Sequence, residues 1–213
     1  PVADDSLWRI YSMTKPITSV VVMQLVDEGR LRLRDPLSGF LPAFADPQVL
    51  VGGTADNPET VPAERAITIA DLLTHTAGIG YSIMDRGPVD ELHRRAGLDA
   101  LAAGGTLAER IDRLATLPLL HQPGTRWSYS MATDVLGRVV ELMDGRSFGE
   151  AMKARILDPL GMVDTVFRVD DGRLDRMTSC YRFVPGAEPA LDEAGGATGF
   201  RSRSWESGGG GLV

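Results

Sequence analysis

The sequence predicts a mixed α/β (α+β) fold that is mostly helical and carries few strands. Three observations predict this. Apolar residues recur at helical density or spacing over 12–29 and again over 135–143. Capping boxes at Thr68–Asp71, Thr106–Glu109 and Ser147–Glu150 open further helices. Only 7–10, 165–169 and 179–184 read as strands.

In chain order, Leu7 to Ile10 is a short strand-like run leading into Ser12. A helix is expected from about Ser12 to Gly29, with Val20, Val21, Met23, Leu25 and Val26 dense enough to bury it on most sides. Pro16 falls in its first turn, where a missing N–H costs nothing, and Gly29 is a plausible C-cap. Asp35-Pro36 and Leu41-Pro42 break the chain, and a long loop with Gly52-Gly53 and Pro58 runs to about Arg65. The helix opened by Thr68 is ended by Gly78. Residues 79–105 are glycine-interrupted and irregular, with one helical piece. The helix opened by Thr106 runs to about Leu117 and stops at Pro118. Val135, Leu136, Val139, Val140 and Met143 mark the next helix, and the one capped by Ser147 halts before Pro159. From 185 on, Gly, Pro and Ala dominate and loop is expected.

With 213 residues, one domain or one and a half is expected. The net charge of −7 and scattered arginines argue against a nucleic-acid or anionic-membrane surface, both of which need a basic patch. No apolar stretch approaches the ~18–20 residues of a membrane-spanning helix. Cys180 is the only cysteine, so no internal disulfide can form, and a buried, inert thiol is expected. Pro1 to Asp5 holds neither an initiator Met nor a signal peptide, and the chain stops at Gly208-Gly209-Gly210-Gly211-Leu212-Val213. Residues 1–213 are therefore expected to be a partial domain, truncated at both ends.

The chemistry centres on Lys15. Of 22 basic side chains only Lys15 and Lys153 are lysines. Arg stays protonated in any protein site, whereas a desolvated Lys can lose its proton. Lys15 follows Ser12 by three residues, the S-x-x-K pattern of a serine nucleophile with an amine base. Positions three apart on a helix share a face, so the hydroxyl and amine can meet. The pattern alone arises by chance about once in a chain of this size, and a helix cap plus a surface lysine would also produce it. Three further stretches carry weight: Leu72-Leu73-Thr74-His75-Thr76-Ala77-Gly78, Gly124-Thr125-Arg126-Trp127-Ser128-Tyr129-Ser130, and Ser207-Gly208-Gly209-Gly210-Gly211.

Together, in this order, these motifs resemble the serine β-lactamase/penicillin-binding superfamily, and most of all its class C β-lactamase-like esterases, the family VIII carboxylesterases. Ser12–Thr18 looks like that branch's nucleophile helix, and Gly52–Asp56 and Asp158-Pro159-Leu160-Gly161-Met162 resemble it too. The likeness runs over nearly the whole chain. It implies the serine β-lactamase-like fold, an antiparallel sheet flanked by helices plus a helical part, of which this chain would hold mostly the helices and little of the sheet. It also implies roles: Ser12 as nucleophile, Lys15 keeping the hydroxyl network basic, and Tyr129 as base and then proton donor to the leaving group. The Ser12 N–H would be one oxyanion-hole donor, and the second would come from a later strand outside this chain.

Met131 departs from the family's Y-x-N motif. It has no amide to offer a β-lactam side chain, and either forms an apolar wall or packs the start of the following helix. Trp127 and Tyr81 are candidate acyl-pocket residues, with packing as the alternative. His75 belongs, by the resemblance, to a structural turn, its ring satisfying backbone groups. His93 and His121 have no motif context, and scattered His with one Cys offer no zinc spacing. The glycines at 208–211 read as a tight backbone turn, not a phosphate loop. Trp205 is open to either reading. The expectation is a serine carboxylesterase needing no cofactor or metal and acting on a small-molecule ester, without nucleic-acid partners, in the cytoplasm. A β-lactamase, a D-Ala-D-Ala carboxypeptidase, an acyltransferase or a non-catalytic sensor on the same fold are the alternatives. Oligomeric state is left open.

Overall fold

Ser12 does not cap the first helix. The chain passes through a 3-10 turn, Tyr11–Met13, and then enters α1, Thr14–Asp27, with no side chain capping its start. The computed structural model describes residues 2–84, 86–98, 104–193, 200 and 204–213. In α1 the buried residues are Thr14, Lys15, Thr18, Val21, Val22 and Leu25, a single stripe of helical period. Val20 and Met23 are 50% and 43% exposed on the other side, which corrects the expectation of burial on most sides. Gly29 follows the C-cap Glu28 in the left-handed region, as a helix stop requires.

Strands β1, Gln48–Gly53, and β2, Pro58–Pro62, pair antiparallel where the sequence suggested loop. Every residue of β2 is exposed, so no apolar alternation marks it. Helix α2, Ile69–Leu73, starts at the Thr68 capping box. There the Asp71 carboxylate accepts from the Thr68 N–H (2.9 Å) and from both arms of Arg65 (2.6 and 2.9 Å). Burial opposes ionisation of Asp71, but the Arg65 and Thr68 hydrogen bonds outweigh it and hold the pKa down at about 2. A depressed folded-state pKa contributes stability above the unfolded value, lost as pH falls towards 2. Asp71→Asn is expected to lower unfolding stability by about 1–3 kcal/mol at pH 7, with the difference vanishing near pH 2. Urea melts of both forms across that range check this, and a pH-independent difference would refute it.

Helices α3, Pro88–Arg95, α4, Leu107–Ala115, α5, Ala132–Asp144, and α6, Phe148–Met152, follow, and α6 runs into a π turn, Lys153–Leu157, before Pro159. The Thr106 and Ser147 capping boxes form as the sequence predicts. Helix α5 is the axis of the core: Ala132 to Gly137, Val139 and Val140 are buried, and it packs against α1, α2, α4 and α6. Strands β3, Cys180–Arg182, and β4, Ala190–Glu193, form a second antiparallel pair. β3 lies inside the predicted 179–184 run, and β4 lies where loop was expected.

Two expected strands are not strands. Residues 7–10 make one bridge, Leu7 with Met177, and Ile10 N–H reaches the Leu212 carbonyl. Residues 165–169 make one reciprocal pair, Val166 with Val213. Each segment is extended, but among the described residues no neighbour runs beside it long enough to build a ladder. Cys180 is half-buried and free, not buried as expected. Trp205 resolves to packing: it is 3% exposed, with the Arg110 guanidinium 4.1 Å over its ring. Among the described residues no helix is long and apolar enough to cross a membrane.

Candidate active site

Among the described residues two non-glycines adopt positive φ: Tyr11 at 42° and His75 at 56°. Such conformations cost about 1–3 kcal/mol each and mark places where function is worth testing. Both lie at one place. Tyr11 precedes Ser12 and turns the chain so that Ser12 is exposed. The His75 ring lies 4.9 Å from the ring of Tyr129.

The three residues singled out in the sequence meet here. The Tyr129 hydroxyl donates to Ser12 Oγ at 2.6 Å, and Lys15 Nζ donates to the same oxygen at 3.3 Å. Lys15 Nζ also lies 4.6 Å from the centre of the Tyr129 ring. Lys15 is 8% exposed, so its amine sits in a largely dry setting beside an open serine. The bonds closing the Tyr11–Met13 turn come from the N–H groups of Met13 and Thr14.

The glycine turn completes the arrangement, which sequence reasoning missed. Lys15 Nζ donates to the Gly209 carbonyl at 2.5 Å. That turn is fixed from three sides. Asp134, 2% exposed in the first turn of α5, accepts from the Ser207 hydroxyl (2.6 Å) and the Gly209 N–H (3.1 Å). Thr18 donates to the Gly208 carbonyl (2.8 Å), and Thr14 accepts from the Leu212 N–H (3.1 Å). A Cβ on Gly208 would sit 2.5 Å from the Thr133 carbonyl and one on Gly209 2.7 Å from an Asp134 oxygen, so only glycine lets the turn come this close. The sequence did carry a signal: a glycine run whose missing side chains imply close backbone approach.

His75 is not bonded to Ser12. Its Nδ1 pairs with the Ser130 hydroxyl at 3.0 Å, a side chain rather than the backbone groups expected. Burial, with the nearby Lys15 charge, lowers its pKa to about 4, so the ring is neutral at pH 7. His121 pairs with the Ser128 hydroxyl at 3.1 Å and braces the approach to Tyr129. Trp127 is 63% exposed with its ring 6.3 Å from that of Tyr129, while Tyr81 is 6% exposed at 5.8 Å. Met131 is 1% exposed within the main core, so it packs the start of α5 and is not an open wall.

A beta-lactamase family model matches residues 1–213. The chain belongs to the beta-lactamase family. Protein Rv1367c of Mycobacterium tuberculosis (strain ATCC 25618 / H37Rv) is 42% identical over 85% of this chain and 44% of its own length. Esterase EstB of Burkholderia gladioli is 36% identical over 100% of this chain and 55% of its own. The solved structure of EstCE1, a hydrolase with promiscuous acyltransferase activity, superposes with a TM-score of 0.77 at 27% identity, over 100% of this chain and 56% of that one. The chain thus spans about half the length of these beta-lactamase family relatives.

Proposed function

We propose that the protein is a serine carboxylesterase that hydrolyses small acyl esters through an acyl-enzyme on Ser12. The observation that carries this reading is the convergence of Lys15 Nζ and the Tyr129 hydroxyl on Ser12 Oγ, at 3.3 and 2.6 Å. A serine hydroxyl is a weak nucleophile until a neighbouring base takes its proton. Ser12 Oγ attacks the ester carbonyl while its proton passes to Tyr129 and the phenol's own proton passes to the Lys15 amine, so that the two residues together act as the base. The Ser12 N–H, which takes no part in the turn's own bonds, is the donor assigned to the developing oxyanion. The carbonyl re-forms, the C–O bond to the alcohol breaks, and Tyr129 returns the proton to the leaving oxygen. Water then repeats the sequence and releases the acid.

Relatives named as esterases support the substrate class. Met131 supports it too, since a buried thioether gives no amide for a β-lactam side chain. A second reading is acyl transfer to an alcohol in place of water, favoured by the acyltransferase activity named for EstCE1. The test compares kcat/KM for p-nitrophenyl butyrate and a chromogenic cephalosporin on the intact enzyme, repeated with an added alcohol acceptor. A preference for the butyrate supports the reading, a preference for the cephalosporin makes the protein a β-lactamase, and ester product with the added alcohol makes it a transferase. Tyr129→Phe is expected to lower kcat about 10²–10⁴-fold, the range of a general acid–base group. A loss below threefold in stopped assays would remove Tyr129 from the mechanism.

A further inference from the structure

Helix α3 is tied to the Tyr129 segment through Arg86. Its Asp90 is fully buried at 0% exposure. One carboxylate oxygen accepts from the Tyr81 N–H at 2.8 Å, and the other accepts from the Arg86 N–H at 2.9 Å and from Arg86 Nε at 3.2 Å. The far arm of the same guanidinium, Nη2, donates to the Tyr129 carbonyl at 3.0 Å. A second link runs parallel: the Met131 N–H donates to the Gly80 carbonyl at 3.3 Å. Gly80 lies flat on α3, where a Cβ would stand 2.8 Å from Val89 and 3.0 Å from Asp90. His93, packed against the same spot, is kept neutral chiefly by burial, with a pKa of about 4, so it brings no competing cation to Asp90.

We infer that Asp90 and Arg86 are positioning residues that fix the main chain at Tyr129, and through it the phenol that meets Ser12. This rests on the acid–base role proposed for Tyr129. Fully buried carboxylates persist when charge-assisted hydrogen bonds satisfy them, and these do so while joining two stretches 43 residues apart in sequence. The Arg fork suits the task because one arm holds Asp90 and another reaches the carbonyl; a point-charged Lys cannot do both. Proton transfer depends on a contact of 2.6 Å at the end of the tyrosine side chain, so a small shift of its backbone is felt at the hydroxyl.

Arg86 carries the test because its side chain is 28% exposed and its loss opens no sealed cavity. Arg86→Met in the intact enzyme is expected to lower kcat for p-nitrophenyl butyrate about 10–100-fold, with KM within twofold of the parent. In a Tyr129→Phe background the same change is expected to cost less than twofold, because the group it positions has gone. Equal losses in both backgrounds, or an unchanged kcat in the parent, overturn the inference. If Arg86→Met does not fold, Arg86→Lys carries the same cycle. Failure of the underlying reading looks different: Tyr129→Phe alone would then be nearly silent, and this inference falls with it.

Discussion

Ser12→Ala is expected to abolish ester turnover, with a fall in kcat on the order of 10⁴–10⁶-fold, the scale seen when a hydrolase loses its nucleophile. The geometry makes the variant unusually easy to interpret. Ser12 is exposed and lies in the Tyr11–Met13 turn, and no side chain caps the start of α1. Removing the hydroxyl therefore breaks no helix cap and opens no cavity, and stability should stay within about 0.5 kcal/mol of the parent. Lys15 keeps its bond to the Gly209 carbonyl, so the amine is not set loose. An alkyl p-nitrophenyl phosphonate gives an independent readout. It should release p-nitrophenolate and leave its phosphonyl group on the Ser12 peptide, seen as a mass increase, while the Ala variant stays unlabelled. A variant that still hydrolyses esters at a tenth of the parent rate, or a label found elsewhere, would end the proposal that Ser12 is the nucleophile.

The parts of the site legible in the sequence were those whose spacing is set by local geometry. Ser12 and Lys15 are three residues apart, and a single helical turn brings them together whatever the rest of the chain does. Tyr129 is 117 residues from Ser12, and no periodicity predicts that meeting. It was reached only through motif resemblance. The Gly209 carbonyl was missed because a glycine run signals close backbone approach without saying which carbonyl is presented or to which side chain. Asp90 was missed because it stands in Pro88–Arg95, a helix rich in Asp, Glu and Arg, where a charge ordinarily faces water. The fold divides the same way. The three capping boxes formed as read, because each is a local exchange of hydrogen bonds. Strand β2 left no pattern because none of its residues is buried, and the runs at 7–10 and 165–169 have strand composition without a neighbour to pair with along their length.

Lys15→Arg is expected to be as damaging as removing the amine altogether, although it keeps the positive charge. Lys15 Nζ sits between three groups: Ser12 Oγ, the Gly209 carbonyl and the face of the Tyr129 ring. If its work is to exchange a proton with the Ser12–Tyr129 pair, Arg cannot do it, since a guanidinium does not deprotonate in proteins. The expected fall in kcat is about 10²–10⁴-fold. Crowding is the competing explanation, because Lys15 is only 8% exposed and Arg is bulkier. Lys15→Met separates the two. Met is unbranched and flexible, adds no bulk, and has no exchangeable proton. Equal, large losses in both variants, with thermal midpoints near the parent, assign proton chemistry to Lys15. An active Arg variant beside an inactive Met variant would mean that only the cation is needed, to hold Tyr129 as its phenolate. In that case Tyr129 alone would be the base, Lys15 would act by charge, and the S-x-x-K spacing would serve to place a cation next to the nucleophile.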